Sequence, residues 1–378
     1  MYKFKIRNKT AIYLDHRELI NNMYNKNIAE AEKICELQKE LFHFHERGKD
    51  IDGHSVTQKP KTEAKNVQQA NDQTNARKRK SKNIKAITEL THFQAVTEDI
   101  LQHLRQYKQF QLIEKHTDNS FPRYWEEITA EDFPIFNGAN NTTAFQDCKF
   151  GALSYIIPPQ CKFFNCQVEE LTKLLPQLTA NSGGYDLIVL DPPWRNKYIR
   201  RLKRARQELA YKMLNTEQLS QMPMQHLVHK LSIVAIWCTN SSELQRAIVE
   251  ELLPKWNLRL LQKLYWLKIN TNGKLIGPID TSGMKKQPFE MLYIACHLES
   301  EPDFGAVLQN VTTILSVPSI VHSHKPPLLP WLKEVLPENP NCLEIFARYL
   351  QPQFTSIGLE VLKLMDERLY TKCSKSVV

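Results

Sequence analysis

The chain of 378 residues has little glycine and no residue pattern typical of a metal site or a disulfide framework. It has 11 glycines and no Gly-x-Gly after a predicted strand, which argues against the glycine loop of many nucleotide-binding folds. Its eight cysteines are scattered without a Cys-x-x-Cys pair. No apolar run is long enough to span a bilayer, and the first residues lack the apolar stretch of a signal peptide. We therefore expect a soluble intracellular protein with reduced thiols and no membrane association.

Positive charge is concentrated in two segments that are poor in acids. The formal net charge is +9; residues 76–85 hold six Lys or Arg and no acid, and residues 195–212 hold eight against Glu208 alone. Such clusters bind polyanions through phosphate contacts, and a solvated charged surface is the alternative. The first segment is also compatible with a nuclear import signal, a nucleic-acid tail or a basic linker. We expect a nuclear protein, with the cytoplasm as a further location.

The most informative segment is Tyr185-Asp-Leu-Ile-Val-Leu-Asp-Pro-Pro-Trp194, which predicts a buried strand at 185–190 followed by an acid, two prolines and an indole. A carboxylate and a proline carbonyl can accept hydrogen bonds from the two N–H groups of an exocyclic amine, which favours a nucleophilic nitrogen. The indole could then stack on the base. This chemistry makes Asp191, Pro192, Pro193 and Trp194 the candidate catalytic residues for amine methylation. The alternative is a strand that ends in a proline-rich loop.

The pattern along the chain divides it into four regions. Residues 1–57 are predicted to be an N-terminal accessory element with a helix at 28–43, and residues 58–86 a disordered basic linker because they offer almost no large aliphatic side chain to bury. Residues 87–150 are predicted to be a helical accessory region. Residues 151–378 alternate strands with helices, which indicates an α/β catalytic domain.

Within the last region, the strands are predicted at 162–168, 185–190, 231–238, 259–269, 289–297, 313–321 and 342–347. The helices are predicted at 171–178, 215–230, 241–253 and 328–336. Ligands of such sheets bind beyond the carboxyl ends of the strands, where this chain places Asn165, Asp191, Lys325 and Arg348. A zwitterionic amino-acid group needs a carboxylate and a cation, which these residues include. His322 and His324 have no third ligand, so we predict no metal.

Four blocks in this order resemble the family of RNA adenosine N6-methyltransferases: Asp191-Pro-Pro-Trp194, Ser323-His-Lys-Pro-Pro-Leu328, Leu343-Glu-Ile-Phe-Ala-Arg348 and Phe354-Thr-Ser-Ile-Gly-Leu-Glu-Val-Leu362. The resemblance covers residues 156–364 and implies a Rossmann-like fold that uses S-adenosyl-L-methionine. The helical spacing of the apolar residues before it predicts a mostly helical N-terminal accessory region. The resemblance also implies donor contacts from six residues, namely Asn165, Cys166, Asp191, Lys325, Arg348 and Glu360. Leu359 departs from the family pattern, where asparagine is frequent after the glycine.

The basic segment after Trp194 favours a polyanionic substrate over a metabolite. The candidate substrate-binding residues are Asn196, Lys197, Arg200, Arg201, Lys203, Arg204, Lys286 and Glu290. Unpaired RNA presents an amine more readily than a duplex, and the resemblance implies small nuclear RNA, including 2′-O-methyladenosine, as the target. DNA adenine and a non-catalytic RNA-binding scaffold are the alternatives. We expect no obligate methyltransferase partner.

Overall fold

The structure is a computed structural model. It describes residues 1–6, 9–26, 33–42, 73–107, 122, 124, 136–180, 183–195, 213–281, 286–300, 308 and 311–374. Its strands are β1 Tyr2–Ile6, β2 Lys9–Tyr13, β3 Lys33–Leu37, β4 Phe136–Asn140, β5 Gln146–Phe150, β6 Leu153–Ile157, β7 Cys161–Asn165, β8 Tyr185–Leu190, β9 Val228–Cys238, β10 Leu258–Lys268, β11 Phe289–His297, β12 Val311–Ser316, β13 Cys342–Ile345, β14 Phe354–Ile357 and β15 Tyr370–Ser374.

The α-helices are α1 His16–Asn25, α2 Gln73–Tyr107, α3 Leu171–Thr179, α4 Thr216–Ser220, α5 Ser242–Ala247, α6 Leu253–Lys255 and α7 Leu329–Leu332. A π-helical turn, Ile248–Leu252, joins α5 to α6. Short 3₁₀ turns lie at Lys39–Phe42, Val168–Glu170, Met224–His226, Lys333–Val335, Lys363–Met365 and Glu367–Leu369. None of the helices in the described ranges is both long and apolar enough to cross a membrane.

Eleven strands of the described chain form one mixed, mostly parallel sheet in the order β1-β2-β12-β10-β11-β9-β8-β13-β14-β7-β4. β8 lies between β9 and β13 and runs parallel to both. The strand order reverses at β8: the next strand, β9, lies on one side of it, and the later strands β13 and β14 lie on the other. Open α/β sheets bind ligands at such a point, outside the carboxyl ends of the strands.

Both faces of β8 are buried. Ile188 and Leu190 belong to the core cluster on one face of the sheet, whereas Leu187 and Val189 belong to the cluster on the other. This two-sided burial explains why the strand is apolar throughout instead of alternating with polar residues. The predicted strand 185–190 is confirmed, and it delivers Asp191 to the carboxyl edge of the sheet.

The N-terminal residues are part of the central sheet. β2 pairs in parallel with β12, and β1 pairs antiparallel with β2, so the prediction of a separate accessory element is wrong over these strands. The predicted helix at 28–43 is also wrong where the chain is described, because β3 pairs there with β15 and is followed by a 3₁₀ turn. Cys35 and Leu37 are buried against the C-terminal segment and alternate with more exposed residues. Burial of every second residue is the pattern of a strand, so the helical spacing of the apolar residues was misleading here.

The predicted linker is wrong over residues 73–86, which form the first part of α2. Lys, Arg, Gln and Ala all favour helix, and a helix can extend from a packed half without an apolar face of its own. The packed half of α2 is anchored by Phe93, whose ring stacks on Tyr265 at 3.9 Å between centroids and meets Phe289 edge to face. Residues 58–72 lie outside the described residues.

The predicted helical accessory region ends earlier than residue 150. β4 adds an edge to the central sheet by antiparallel pairing with β7, and β5 pairs with β6. Gly138 of β4 lies against the ring of Phe163, where a Cβ atom would come within 2.6 Å of Cζ. The glycine therefore marks a close approach between strands and not a turn.

Several helices and strands in residues 151–378 have bounds that differ from the predicted ones. Asn215 forms a capping box with Gln218 at the start of α4, but α4 ends at Ser220 and β9 begins at Val228, inside the helix predicted for 215–230. The helix predicted at 328–336 is the short α7 plus a 3₁₀ turn. β14 was not predicted as a strand, although it completes the sheet beside β13 and β7.

Candidate active site

Asp191 follows β8 at the carboxyl edge of the sheet. Its backbone N–H donates to the carbonyl of Ile345 at 3.5 Å, which ties it to the neighbouring strand β13. Its side chain is 13% exposed, and Oδ1 lies 3.5 Å from Nζ of Lys325. Burial raises the pKa of this carboxyl; Lys325 lowers it, Glu290 raises it, and the net shift is upward. The carboxylate therefore depends on the nearby lysine for its charge.

Asp191 lies at the wall of a cleft that is open to solvent. Its walls are the segments that follow β7, β8, β13 and β14. They include Cys166, Asp191, Pro193, Phe346, Arg348 and Glu360. The cleft therefore combines a carboxylate and a guanidinium with an apolar surface.

A chain of alternating charges connects Asp191 with the interior. Lys325 Nζ lies 2.5 Å from Glu290 Oε2, and the other oxygen of Glu290 accepts from Lys268 Nζ. Burial raises the pKa of Glu290, but the two lysines outweigh this effect and hold the pKa well below its usual range. Burial lowers the pKa of Lys325, but Asp191 and Glu290 outweigh this and raise it. Glu290 and Lys325 are therefore both held in their charged forms.

The ammonium of Lys325 is held between two indoles. Nζ lies 5.6 Å from the ring centroid of Trp237 and 5.5 Å from that of Trp266, distances at which a cation is attracted to an aromatic face. Ser323, two residues earlier, adopts a positive φ of 60°, and this turn directs the following residues inward. His324 is buried.

A second ion-pair group closes the opposite side of the cleft. Arg348 Nε lies 3.1 Å from Glu360 Oε2, and Lys363 Nζ lies 2.5 Å from Glu360 Oε1. Phe346 has a positive φ of 69°, a costly conformation for an aromatic residue, and turns the chain so that the residues after β13 line the cleft. Gly358 fits under this turn, because a Cβ atom there would lie 2.7 Å from the carbonyl oxygen of Ala347.

Asn165 and Cys166 occupy different positions. Asn165 ends β7 and is 1% exposed, and it is not among the residues that line the cleft. Cys166 does line the cleft, and burial raises the pKa of its thiol to about 11, so it stays protonated. Of the predicted donor-binding residues, the structure brings Cys166, Asp191, Arg348 and Glu360 together and places Lys325 beside Asp191.

Both proline carbonyls accept backbone hydrogen bonds. Pro192 O accepts from the Trp194 N–H at 2.7 Å, and Pro193 O accepts from the Leu214 N–H at 3.1 Å, because residues 213–215 run alongside this loop. Each carbonyl oxygen keeps a second lone pair for another donor.

Trp194 does not offer an open stacking surface. Its side chain is in the core, the residue is 5% exposed, and Nε1–H donates to the carbonyl of Trp237 at 2.8 Å. The prediction that it stacks on a base is therefore wrong for this conformation. Burial is favoured because the indole has a large apolar surface and because its N–H finds a hydrogen-bond partner in the core. Trp194 anchors the loop that carries Asp191.

The predicted substrate residues are divided by the structure. Asn196, Lys197, Arg200, Arg201, Lys203 and Arg204 lie outside the described residues. Lys286 is exposed. Glu290 is paired with two lysines beside Asp191, so it contributes to the charge of the site and is not a free substrate-binding side chain.

Sequence reasoning missed Lys268 and Lys363. Lys268 ends a predicted strand on the same edge as Asp191, and this position was a usable signal. Lys363 follows Glu360 by three residues in a 3₁₀ turn, for which the sequence gave no strong indication. The described ranges contain no group of three or more His, Cys, Asp or Glu residues suited to holding a metal ion.

Comparison with known proteins gives a consistent result. Residues 185–360 match the family model MT-A70. The chain is 32% identical over 234 residues to the N(6)-adenine-specific methyltransferase METTL4 of Mus musculus, covering 59% of this chain and 46% of that protein. It is 31% identical over 218 residues to the DNA N6-methyl methyltransferase of Caenorhabditis elegans, covering 58% of this chain and 56% of the relative.

A fungal relative is similar to the same extent. The chain is 33% identical over 220 residues to the N6-methyladenosine RNA methyltransferase MTA1 of Pyricularia oryzae, covering 56% of this chain and 55% of that protein. The chain thus spans about half the length of the curated relatives it matches. The resemblance seen in the four sequence blocks is confirmed.

Proposed function

We propose that this chain, whose residues 185–360 belong to the MT-A70 family, transfers a methyl group from S-adenosyl-L-methionine to N6 of adenosine in RNA. The observation that carries the proposal is the placement of Asp191 at the wall of a cleft, beside a paired lysine. The products would be N6-methyladenosine, S-adenosylhomocysteine and one proton.

The residues of the cleft fit the proposed donor. When bound, S-adenosyl-L-methionine supplies an electrophilic methyl group on a sulfonium. Asp191 and Lys325 are suited to its ammonium and carboxylate, and Arg348 and Glu360 to its ribose hydroxyls. Phe346 adds apolar surface to the same cleft.

Asp191 can also orient the target amine. Because Lys325 opposes the effect of burial on its pKa, the carboxylate can accept an N–H of adenine N6. A carbonyl of Pro192 or Pro193 can accept the second N–H with its remaining lone pair. Two fixed acceptors hold the nitrogen lone pair in the direction of the donor methyl. Trp194 keeps this loop in place through its bond to Trp237.

The choice of RNA rests on two arguments. Residues 195–212 carry eight cations next to the catalytic loop, which suits a phosphate backbone, and unpaired RNA presents its bases at low cost. The relative from Pyricularia oryzae carries an RNA methyltransferase name. Small nuclear RNA and 2′-O-methyladenosine are proposed on the resemblance of the four blocks alone. The name of the Caenorhabditis elegans relative favours DNA adenine as the second candidate.

The decisive experiment follows methyl incorporation from labelled donor into matched single-stranded RNA and DNA, with and without 2′-O-methylation of the target adenosine. We expect incorporation into RNA that Asp191→Ala abolishes. Asp147→Asn changes an exposed acid that pairs with Lys372 and serves as the matched control. Incorporation only into DNA would replace the RNA proposal, and RNA binding without turnover would support a scaffold.

Salt dependence tests the role of the second basic segment. Reversing Arg200, Arg201, Lys203 and Arg204 should weaken RNA binding and flatten its dependence on salt, because each lost phosphate contact reduces counterion release. Unchanged affinity across salt concentrations would contradict this role.

Two further properties are proposed from sequence alone. Residues 76–85 would act in nuclear import, and their removal should shift the protein to the cytoplasm. We also propose that the chain acts without an obligate methyltransferase partner. Turnover that appears only after a second methyltransferase is added would contradict this.

A further inference from the structure

The turn that carries Lys325 is packed from behind by the N-terminal residues. Leu14 N–H donates to Leu315 O at 2.8 Å, and Ile320 N–H donates to Leu41 O at 2.7 Å. These two bonds join the beginning of the chain to the segment that leads from β12 into the Lys325 turn. The N-terminal residues lie outside the segment 185–360 that matches the family model.

A cluster of rings completes this contact. His16, the first residue of α1, meets the ring of His324 edge to face at 4.8 Å between centroids. Phe42 contacts His16 at 5.0 Å, and Tyr349 contacts His324 at 5.0 Å. His16 is 1% exposed and His324 is 4% exposed, so the cluster is part of the interior.

The two imidazoles behave as neutral packing groups. Burial lowers the pKa of His324 to about 3, and neither of its ring nitrogens has a hydrogen-bond partner within the described residues. The pKa of His16 is lowered, mainly by burial and to a smaller extent by the neighbouring His324, and the Lys325 backbone carbonyl opposes this shift. The Tyr349 hydroxyl donates to the same carbonyl at 3.4 Å. The main chain of Lys325 is therefore bonded to the segment after β13, and the ring of the preceding residue His324 packs against α1.

We propose that His16 is a positioning residue for donor binding, which acts by packing against His324 and so fixing the turn that carries Lys325. The proposal rests on the proposed function, in which Lys325 binds the donor carboxylate. Lys325 already divides its ammonium between Asp191 at 3.5 Å and Glu290 at 2.5 Å. A small rotation of its backbone would strengthen one of these pairs and remove the ammonium from the donor. The N-terminal helix thereby becomes part of the donor site without touching the donor.

Equilibrium dialysis with labelled donor tests this on the full chain. His16→Ala should weaken donor affinity about tenfold, a change of about 1.4 kcal/mol. RNA affinity and turnover at saturating donor should stay within about twofold, a change of about 0.4 kcal/mol. His16→Phe keeps a ring of similar shape and should restore most of the donor affinity.

His103→Ala is the matched control, because it removes a ring that stacks on Phe4 at 4.9 Å in another part of the N-terminal region. It should leave donor affinity unchanged. Unchanged donor affinity in folded His16→Ala, or failure of His16→Phe to restore it, overturns the proposal. Lack of donor binding by the unaltered protein would instead refute the proposed function, so the two failures are distinguishable.

Discussion

Glu344 provides a quantitative test of the electrostatics beneath the site. It lies on β13 opposite Val189 of β8, is 6% exposed, and accepts a 2.7 Å hydrogen bond from Gln351 Nε2. Burial raises the pKa of its carboxyl from 4.5 to about 8; Gln351 lowers it and Asp191 raises it. The side chain is consequently a neutral acid at physiological pH in the folded protein.

The sign of the pH dependence follows from this shift. A folded-state pKa above the unfolded value means that the neutral acid contributes its full stability below pH 4.5, and that this contribution is lost as the pH rises toward about 8. The loss amounts to about 1.4 kcal/mol per pH unit inside this window. Glu344→Gln stays neutral and can keep the bond to Gln351. Its stability relative to the unaltered protein should therefore increase by about 3 kcal/mol between pH 5 and pH 7.

Urea unfolding at several pH values between 5 and 8 measures this difference directly. Glu338→Gln, at an exposed position, is the matched control and should give a difference that does not depend on pH. If the free energy of unfolding of Glu344→Gln follows that of the unaltered protein in parallel across this range, Glu344 is solvated or ionised in the fold and the reasoning is wrong.

Two more substitutions test contacts in the site. Lys268→Met removes one cation from Glu290 and should draw Lys325 toward that carboxylate, which raises the KM for the donor. Lys268→Arg keeps the cation and should largely preserve the KM of the unaltered protein. Equal KM values in both variants would contradict the shared pairing of Glu290 with the two lysines. Gly358→Ala places a Cβ 2.7 Å from Ala347 O and should reduce the free energy of unfolding by about 1–3 kcal/mol in urea, whereas a smaller loss would mean that the turn yields easily.

The sequence predicted the parts of the fold that short-range patterns determine. The uninterrupted apolar run of β8 and the acid that follows it could be recognised because a central strand has no exposed face. The same reasoning applies to residues 289–297, which form β11 as predicted. Asp191 and Arg348 could be placed at one edge because the carboxyl ends of parallel strands meet there, whereas Glu360 was assigned from the family resemblance alone.

The parts that depend on distant pairing could not be predicted. β3 is a strand because the C-terminal strand β15 pairs with it, and nothing within residues 33–37 indicates that partner. The burial of Trp194 depends on a carbonyl on β9, and the pairing of Glu290 depends on lysines from two other segments. The extension of α2 into residues 73–86 shows that missing apolar residues do not exclude a helix.

The parallel pairing of β2 with β12 joins the first and last thirds of the polypeptide. During synthesis, the N-terminal strands must therefore wait until their partner has left the ribosome, and such distant contacts slow folding. A fragment restricted to residues 185–360 would omit β2 and leave β12 with an unprotected hydrogen-bonding edge, a template for aggregation. It would also omit β7, so the segment that matches the family model should not be expressed as an independent unit.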